Sequence, residues 1–234
     1  MNKKKSKIVR SYFNSIALRY DLMNTLLSFG IHYLWKQKTI KEGKLKKGGR
    51  IIDLCGGTAD LSISAGKIIG QNGKVVLYDF SLEMIETGIS KVKKNNLSGR
   101  ITPVCGNAEI ISFPDNTFDA AFIGFGLRNL SDIGKGLKDI HRVLKPGSSL
   151  ICLEFSQPVT PWFRKFYDFY SSNILPFLGK IITGSEEAYS YLHDSIRDFP
   201  LPDRLSEIMQ QSGFKKVTYK RLTNGIAVIH TATK

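Results

Sequence analysis

The stretch RIIDLCGGTAD, residues 50–60, runs three branched apolar residues, Ile51, Ile52 and Leu54, through Asp53 into a pair of glycines. An apolar run without polar alternation is what a strand buried on both faces of a parallel sheet requires. Gly56 and Gly57 lack β-carbons, so the chain here can take positive φ and a ligand can lie against bare backbone. A helix beginning near Ala59 and Asp60 aims its unpaired N–H groups into the bend.

Outward from this bend the pattern alternates. Strands are expected at 74–79 (KVVLYD), 101–105, 118–125 (FDAAFIGF) and 149–155 (SLICLEF), with helices from Asp60, at 81–94 and at 131–144. Strands alternating with helices make a doubly wound, Rossmann-like α/β sheet. Upstream, residues 5–42 read as helices broken near Ser28–Gly30. Downstream, KKVTYKRL (215–222) and GIAVIHTAT (225–233) stand two residues apart, and so short a link permits only an antiparallel hairpin. The expected organisation is a single domain, 1–234: an N-terminal helical lid (1–48), a ligand-binding core (49–156), an insertion over the pocket (157–200), and a C-terminal helix with the hairpin (201–234).

Composition bounds the rest. The 234 residues are 42% hydrophobic and 23% charged, which excludes disordered and fibrous classes. No run of about 18 apolar residues occurs and no apolar signal core follows the basic N-terminus, so a soluble, cytoplasmic protein is expected. Cys55, Cys105 and Cys152 share no metal-ligand spacing and each sits in a β-like run; reduced core thiols, and no metal, are expected. Lysine and arginine total 34 against 20 acidic residues, a formal charge of +14. Such an excess fits an anionic partner, nucleic acid or membrane headgroups, or a solvated basic face with no specific partner.

What the bend holds follows from its residues. A dinucleotide site would show G-x-G-x-x-G, but the third glycine position is Leu61, and Asp60 in the first helical turn would repel a pyrophosphate. Asp79 ends the second strand, where a carboxylate can accept both hydroxyls of a ribose; Ser81 already supplies the helix cap. Asn107, after the third strand, can offer an amide to an adenine edge or serve as a turn residue. A ribose, an adenine and a cationic sulfur without phosphate are the parts of S-adenosyl-L-methionine.

The order D-x-x-G-G-T, strand-end Asp, Asn-Ala and F-P-D-x-x-F-D resembles the class I S-adenosylmethionine-dependent methyltransferases. The resemblance implies a seven-stranded sheet of order 3-2-1-4-5-7-6 with the seventh strand antiparallel. YDLMNTLLSFGIHYLW (20–35) matches Y-D-x-M-N-x-x-x-S-x-x-x-H-x-x-W at every specified position. RVLKPGSSLICLEFS (142–156) is similar to R-V-x-K-P-G-G-x-L-x-x-L-E-x-S, with Ser148 in place of a glycine. With FGLRN (125–129) and YSYLHDSI (189–196), these resemble the ubiquinone and menaquinone biosynthesis C-methyltransferases (UbiE/MenG family) over nearly the whole chain.

This resemblance implies C-methylation of a reduced prenylated quinone precursor: demethylmenaquinol to menaquinol, the 2-methoxy-6-polyprenyl-1,4-benzoquinol step of ubiquinone synthesis, or both. It implies cofactor contacts at Thr58, Asp79, Asn107 and Ala108, to which the backbone reading adds Gly56. Gly124 stands where relatives commonly carry a serine, so any cofactor contact there runs through backbone or water. Candidates for the proton step are His32, Tyr20, Asp21, Arg128 and Asn129. His32 has an ordinary pKa of about 6.5, suited to base work. Tyr20 or Asp21 could instead close the lid by hydrogen bonds. Arg128 suits oxyanion stabilisation, or else forms a surface salt bridge. Tyr191 and Ser195 match the family pattern and could line the acceptor pocket; His193 falls at an unspecified position.

The aromatic segment 161–184, with Trp162, Phe163, Phe166, Tyr167, Phe169 and Tyr170, reads as an amphipathic cover over the pocket mouth. The expected partners are a prenylated hydroquinone, an anionic membrane surface touched peripherally at its inner face, and a second copy or other quinone-pathway enzymes. A nucleic-acid methyltransferase, another small-molecule methyltransferase and a non-enzymatic cofactor-binding module are the rival readings. Neither an N-P-P-Y-like tetrapeptide after the fourth strand nor a nucleophilic cysteine is visible, so no nucleic acid is expected.

Overall fold

A computed structural model describes residues 3–174 and 186–234, with side chains for 8–174 and 190–234. The glycine bend follows β1 (Arg50–Leu54), the central strand of a seven-stranded sheet. After it come α4 (Asp60–Ile68), β2 (Lys74–Asp79), α5 (Leu82–Lys94), β3 (Ile101–Cys105), β4 (Phe118–Gly124), α6 (Ile133–Val143) and β5 (Leu144–Phe155). Before it stand α1 (Lys3–Ile16), α2 (Tyr20–Leu27) and α3 (Ile31–Glu42). The chain closes with α7 (Pro161–Phe169), α8 (Glu186–Asp198), α9 (Pro202–Gln211), β6 (Lys215–Leu222) and β7 (Ala227–Thr233).

The strand order is β3-β2-β1-β4-β5-β7-β6. The first five strands are parallel, and β7 runs antiparallel to both β5 and β6. Side chains alternate across a strand, so each buried strand feeds two cores. Ile52, Leu54, Val76, Tyr78, Ala121 and Ile123 pack on one face with α6 and α9. Ile51, Val75, Leu77, Ala120 and Phe122 pack on the other with Trp35 of α3, Leu61 of α4 and Val92 of α5. Two-sided burial is why these strands read as continuous apolar runs.

Several boundaries differ from the sequence reading. The N-terminal helices break twice: at Gly30, with φ +75°, as expected, and also at the 3-10 turn Ala17–Arg19. Strand β5 begins at Leu144, five residues early, because Leu144 pairs with Phe118 before an irregularity in the ladder. The hairpin link spans residues 223–226 rather than two, with Thr223, Asn224 and Gly225 all at positive φ. Cys152 is buried, but Cys55 is only half-buried and Cys105 is exposed, so core burial holds for one thiol of three. Part of the aromatic cover, residues 175–185, lies outside the described residues.

Side-chain hydrogen bonds tie the N-terminal helices to the rest of the chain, two of them far from the bend. Trp35 Nε1 donates to Thr223 Oγ1 (2.9 Å), tying α3 to the hairpin turn. Tyr170 Oη donates to the Leu27 carbonyl (2.8 Å), tying the segment after α7 to α2.

Candidate active site

The bend after β1 is held from the next strand end. Asp79 Oδ2 accepts the Gly57 N–H and Oδ1 accepts the Ser81 N–H, each at 2.9 Å. Burial pushes the Asp79 carboxyl up to about 6, against the lowering effect of N–H donors from Ser81, Gly57 and Phe80. A carboxylate offers about four lone-pair sites, so three N–H donors leave Asp79 capacity for a further one. Ser81 caps α5 by accepting the Met84 N–H, as expected.

The two glycines differ in role. Gly57 adopts φ +50°, between Cys55 (φ +52°) and Ala59 (φ +70°), which also lie in the left-handed region. A Cβ on Gly56 would meet Leu77 Cδ1 at 2.5 Å and Asp53 at 3.0 Å, so packing against the core requires glycine here while the residue also lines the groove. Asp53 lies beneath the bend, 1% exposed, where Ser62 donates to Oδ2 through both its N–H (2.8 Å) and its hydroxyl (2.6 Å). Burial drives the Asp53 carboxyl up to about 7.

A groove crosses the carboxyl ends of the strands. Asn107, Ala108 and Glu109 line one end; Asp79, Phe80 and Cys55 line its middle; and Thr58, Lys36, Asp60, Leu61 and Gly124 line the other. A Cβ on Gly124 would meet Leu61 Cδ1 at 2.8 Å, so the leucine in the third-glycine position fills the space beside Gly124. Asn107 is also a turn residue, its Oδ1 accepting the Glu109 N–H at 2.9 Å. The repulsion argued for Asp60 needs correction. Burial would raise its carboxyl, but Lys36 (2.6 Å) and Lys91 outweigh that and hold it below the usual range. Its charge is matched by two ammonium groups.

The lid contributes directly. Asp21 Oδ1 accepts the Thr58 hydroxyl and Oδ2 accepts the Lys91 ammonium, both at 2.6 Å, so Asp21 closes the lid on the bend. Tyr20 lines the groove and also a second cavity of about 780 Å³; Phe13 and Phe125 share that position. His32 and Arg128 line the large cavity. The near-neutral pKa expected for His32 is not kept: burial first, then Lys36, lowers it to about 4. Its Nε2 lies 3.2 Å from Thr25 Oγ1.

Arg128 is no surface salt bridge. It is 6% exposed; Nη1 bonds Glu154 Oε2 at 3.0 Å, Nε reaches Ser195 Oγ at 3.3 Å, and the guanidinium lies 5.4 Å from the Phe155 ring centre. Asn129 Oδ1 accepts the Tyr191 hydroxyl at 3.1 Å. His193 Nδ1 lies 3.2 Å from Ser171 Oγ and is absent from the cavity lining. The structure thus gathers Gly56, Thr58 and Gly124 at one end of the groove, Asp79 in its middle, Asn107 and Ala108 at the other end, and His32, Arg128 and Tyr20 in the adjoining cavity. Glu154, Lys36, Lys91 and Asp53 were given no role from sequence. Two of them carried a signal, Asp53 as the first position of D-x-x-G-G-T and Glu154 as a specified position in the 142–156 pattern.

A seven-stranded sheet of this order, with a groove at the carboxyl ends of its strands, defines a class I S-adenosylmethionine-dependent methyltransferase fold. The residues present fit S-adenosyl-L-methionine: a carboxylate with accepting capacity left, Asp79, and an amide one strand further on, Asn107, line the same groove. Solved structures share the fold. A SAM-dependent methyltransferase from Aquifex aeolicus superposes with TM-score 0.58 at 21% identity, covering 85% of this chain and 88% of that one. The Thermotoga maritima SAM-dependent methyltransferase described as a possible histamine N-methyltransferase gives 0.65 at 19%, covering 97% and 99%. The [4+2]-cyclase SpnF gives 0.71 at 16%, covering 98% and 96%, so this fold also hosts other chemistry.

The chain belongs to the ubiE/COQ5 methyltransferase family, whose model matches residues 1–234. The ubiquinone/menaquinone biosynthesis C-methyltransferase UbiE of Francisella philomiragia is 47% identical over 230 residues, 98% of this chain and 92% of that protein. The Pseudoalteromonas translucida protein of the same name is 44% identical over the same shares.

Proposed function

We propose that this chain methylates a ring carbon of a reduced, prenylated quinone precursor, of the demethylmenaquinol or 2-methoxy-6-polyprenyl-1,4-benzoquinol kind. The observation that carries this reading is the cavity of about 780 Å³ that meets the cofactor groove at Phe13, Tyr20 and Phe125. Its wall is dominated by aromatic and aliphatic side chains, which suits a ring with a polyprenyl tail, and the names of the family relatives point to the same substrate class.

S-adenosyl-L-methionine, when bound, supplies a methyl group already activated on a sulfonium. The residues here must then align the acceptor, an effect worth about 7–11 kcal/mol at best. Ionisation of a ring hydroxyl enriches the carbon that takes the methyl group, and that carbon gives up its own proton in return. Arg128, pinned by Glu154, places a guanidinium in the cavity wall where it stabilises the ring oxyanion. Asn129 and Tyr191 orient the ring from the side of the groove. His32, neutral above about pH 4, accepts or relays a hydrogen bond at the lid.

Incubating the protein with methyl-labelled cofactor and each reduced quinol in detergent tests the reading. Label in the quinol fraction is expected. A chain that binds cofactor yet labels neither quinol overturns it.

The cavity mouth also supports peripheral contact with an anionic membrane surface. Trp162 (71% exposed) and Phe166 (65%) stand out from α7, and Phe29 (83%) from the turn before α3. Phe29 and Phe166 line the cavity itself, so a tail could pass from bilayer to pocket without crossing water. Among the described residues no helix is long and apolar enough to cross a membrane. Flotation with anionic and neutral liposomes should recover the protein with the anionic ones at low salt; recovery with neither overturns the membrane contact.

A further inference from the structure

We propose that Lys36 binds the α-carboxylate of the cofactor's methionyl group and so makes the site selective for the whole cofactor over its nucleoside part. The assignment rests on the groove reading above. With adenine at Asn107 and Ala108 and ribose at Asp79, the amino-acid tail must lie over β1 towards β4, because that is where the groove continues. That end is bounded by Gly56, Thr58, Asp60, Leu61, Gly124 and Lys36, and Lys36 is the cationic side chain among its described lining residues.

The Lys36 side chain is 12% exposed. It carries three N–H donors, and its described hydrogen bond is a single one, to Asp60 Oδ2 at 2.6 Å. An ammonium on a side chain largely withdrawn from water, at the wall of the groove and with donors to spare, can take a further acceptor. Asp60 fixes it in place and is itself held by Lys91, so the Lys36 side chain is set before any ligand arrives. The α4 helix starts at Asp60, and its N-terminal end, where Asp53 takes the Ser62 N–H, adds positive potential at the same end. A carboxylate meets this arrangement better than any other part of the cofactor. The α-ammonium beside it finds Asp60.

Lys36 was passed over from sequence because it follows Trp35 as one more charged residue in a helix that also carries Lys38 and Lys41. Only the packing of α3 across the bend separates it from the solvated lysines.

Calorimetry with S-adenosylhomocysteine and 5′-methylthioadenosine decides the matter, since the two share adenosine and sulfur but only the first carries the amino-acid group. The wild-type protein should prefer S-adenosylhomocysteine. Lys36→Met should weaken S-adenosylhomocysteine roughly 10- to 100-fold, the scale of one charge-assisted contact, while 5′-methylthioadenosine stays within about threefold. Lys36→Arg should keep most of the preference. Equal loss of both ligands in Lys36→Met, or loss of neither, overturns the role of Lys36 and leaves the groove reading intact. A wild-type protein that binds neither ligand overturns the groove and Lys36 together.

Discussion

Glu154 holds Arg128 twice: Oε2 takes the guanidinium Nη1 at 3.0 Å, and Oε1 takes the Arg128 backbone N–H at 3.2 Å. The pair is nearly dry, with side chains 5% and 1% exposed. One glutamate at the end of β5 therefore fixes both the turn after β4 and the direction of the cation it presents.

Glu154→Gln keeps the shape but leaves a buried guanidinium without its counter-charge. Removing one partner of such a pair costs about 3–5 kcal/mol, whereas replacing both by apolar groups is often neutral. Urea denaturation should show that loss for Glu154→Gln, and the double variant Arg128→Met with Glu154→Leu should recover most of it. Turnover should stay low in both. A double variant as active as wild type would remove Arg128 from the chemistry.

Asp53 and Asp79 give stability a pH dependence of unusual sign. Both carboxyls are raised by burial, to about 7 and about 6, above an unfolded value near 4. Between pH 4 and 7 the folded chain therefore binds more protons than the unfolded one, and this contribution to stability falls as pH rises. Asp53→Asn retains an acceptor for Ser62 and cannot ionise. Its stability relative to wild type should be several kcal/mol more favourable at pH 8 than at pH 4.5, by the scale of about 1.4 kcal/mol per unit. A difference that does not change between these two pH values would mean Asp53 titrates normally.

What the sequence disclosed and what it hid divide along physical lines. β1, β2 and β4 were legible because two-sided burial leaves an unbroken apolar run, and the antiparallel end because a short link allows no other pairing. Asp79 was legible because a strand end fixes where its carboxylate must stand. The extra break at Ala17–Arg19 carries no glycine or proline, so periodicity passed over it. Lys91 and Asp21 are 70 residues apart, and Arg128 and Glu154 are 26 apart; such pairings depend on strand order and lid docking, which no local pattern encodes. His32 lines the large cavity, but its pKa is a property of burial and of Lys36, one turn further along α3.

With its pKa near 4, His32 is neutral throughout the ordinary working range. Any ionisation near pH 6 to 7 in the rate profile therefore belongs to another group. His32→Gln should leave the apparent pKa values of kcat/KM between pH 5.5 and 8 in place, even if the rate itself drops through the lost contact with Thr25. Disappearance of a limb near 6.5 in the variant would return His32 to the role of general base.

Lys91 links three elements, reaching Asp21 of α2 at 2.6 Å and also Asp60 of α4. The Lys91 and Asp21 side chains are 27% and 31% exposed, so each exposed-type pair is worth only about 0.2–1 kcal/mol. Lys91→Met should therefore move the global unfolding midpoint little. Its effect should fall on the lid, because α2 otherwise meets the core through few buried groups; Met23 is the buried residue of that helix. Hydrogen exchange should quicken across α2 while amides of β1 and β4 keep their protection. Unchanged exchange in α2, or equal acceleration in the central strands, would show that the Asp21–Lys91 contact does not hold the lid.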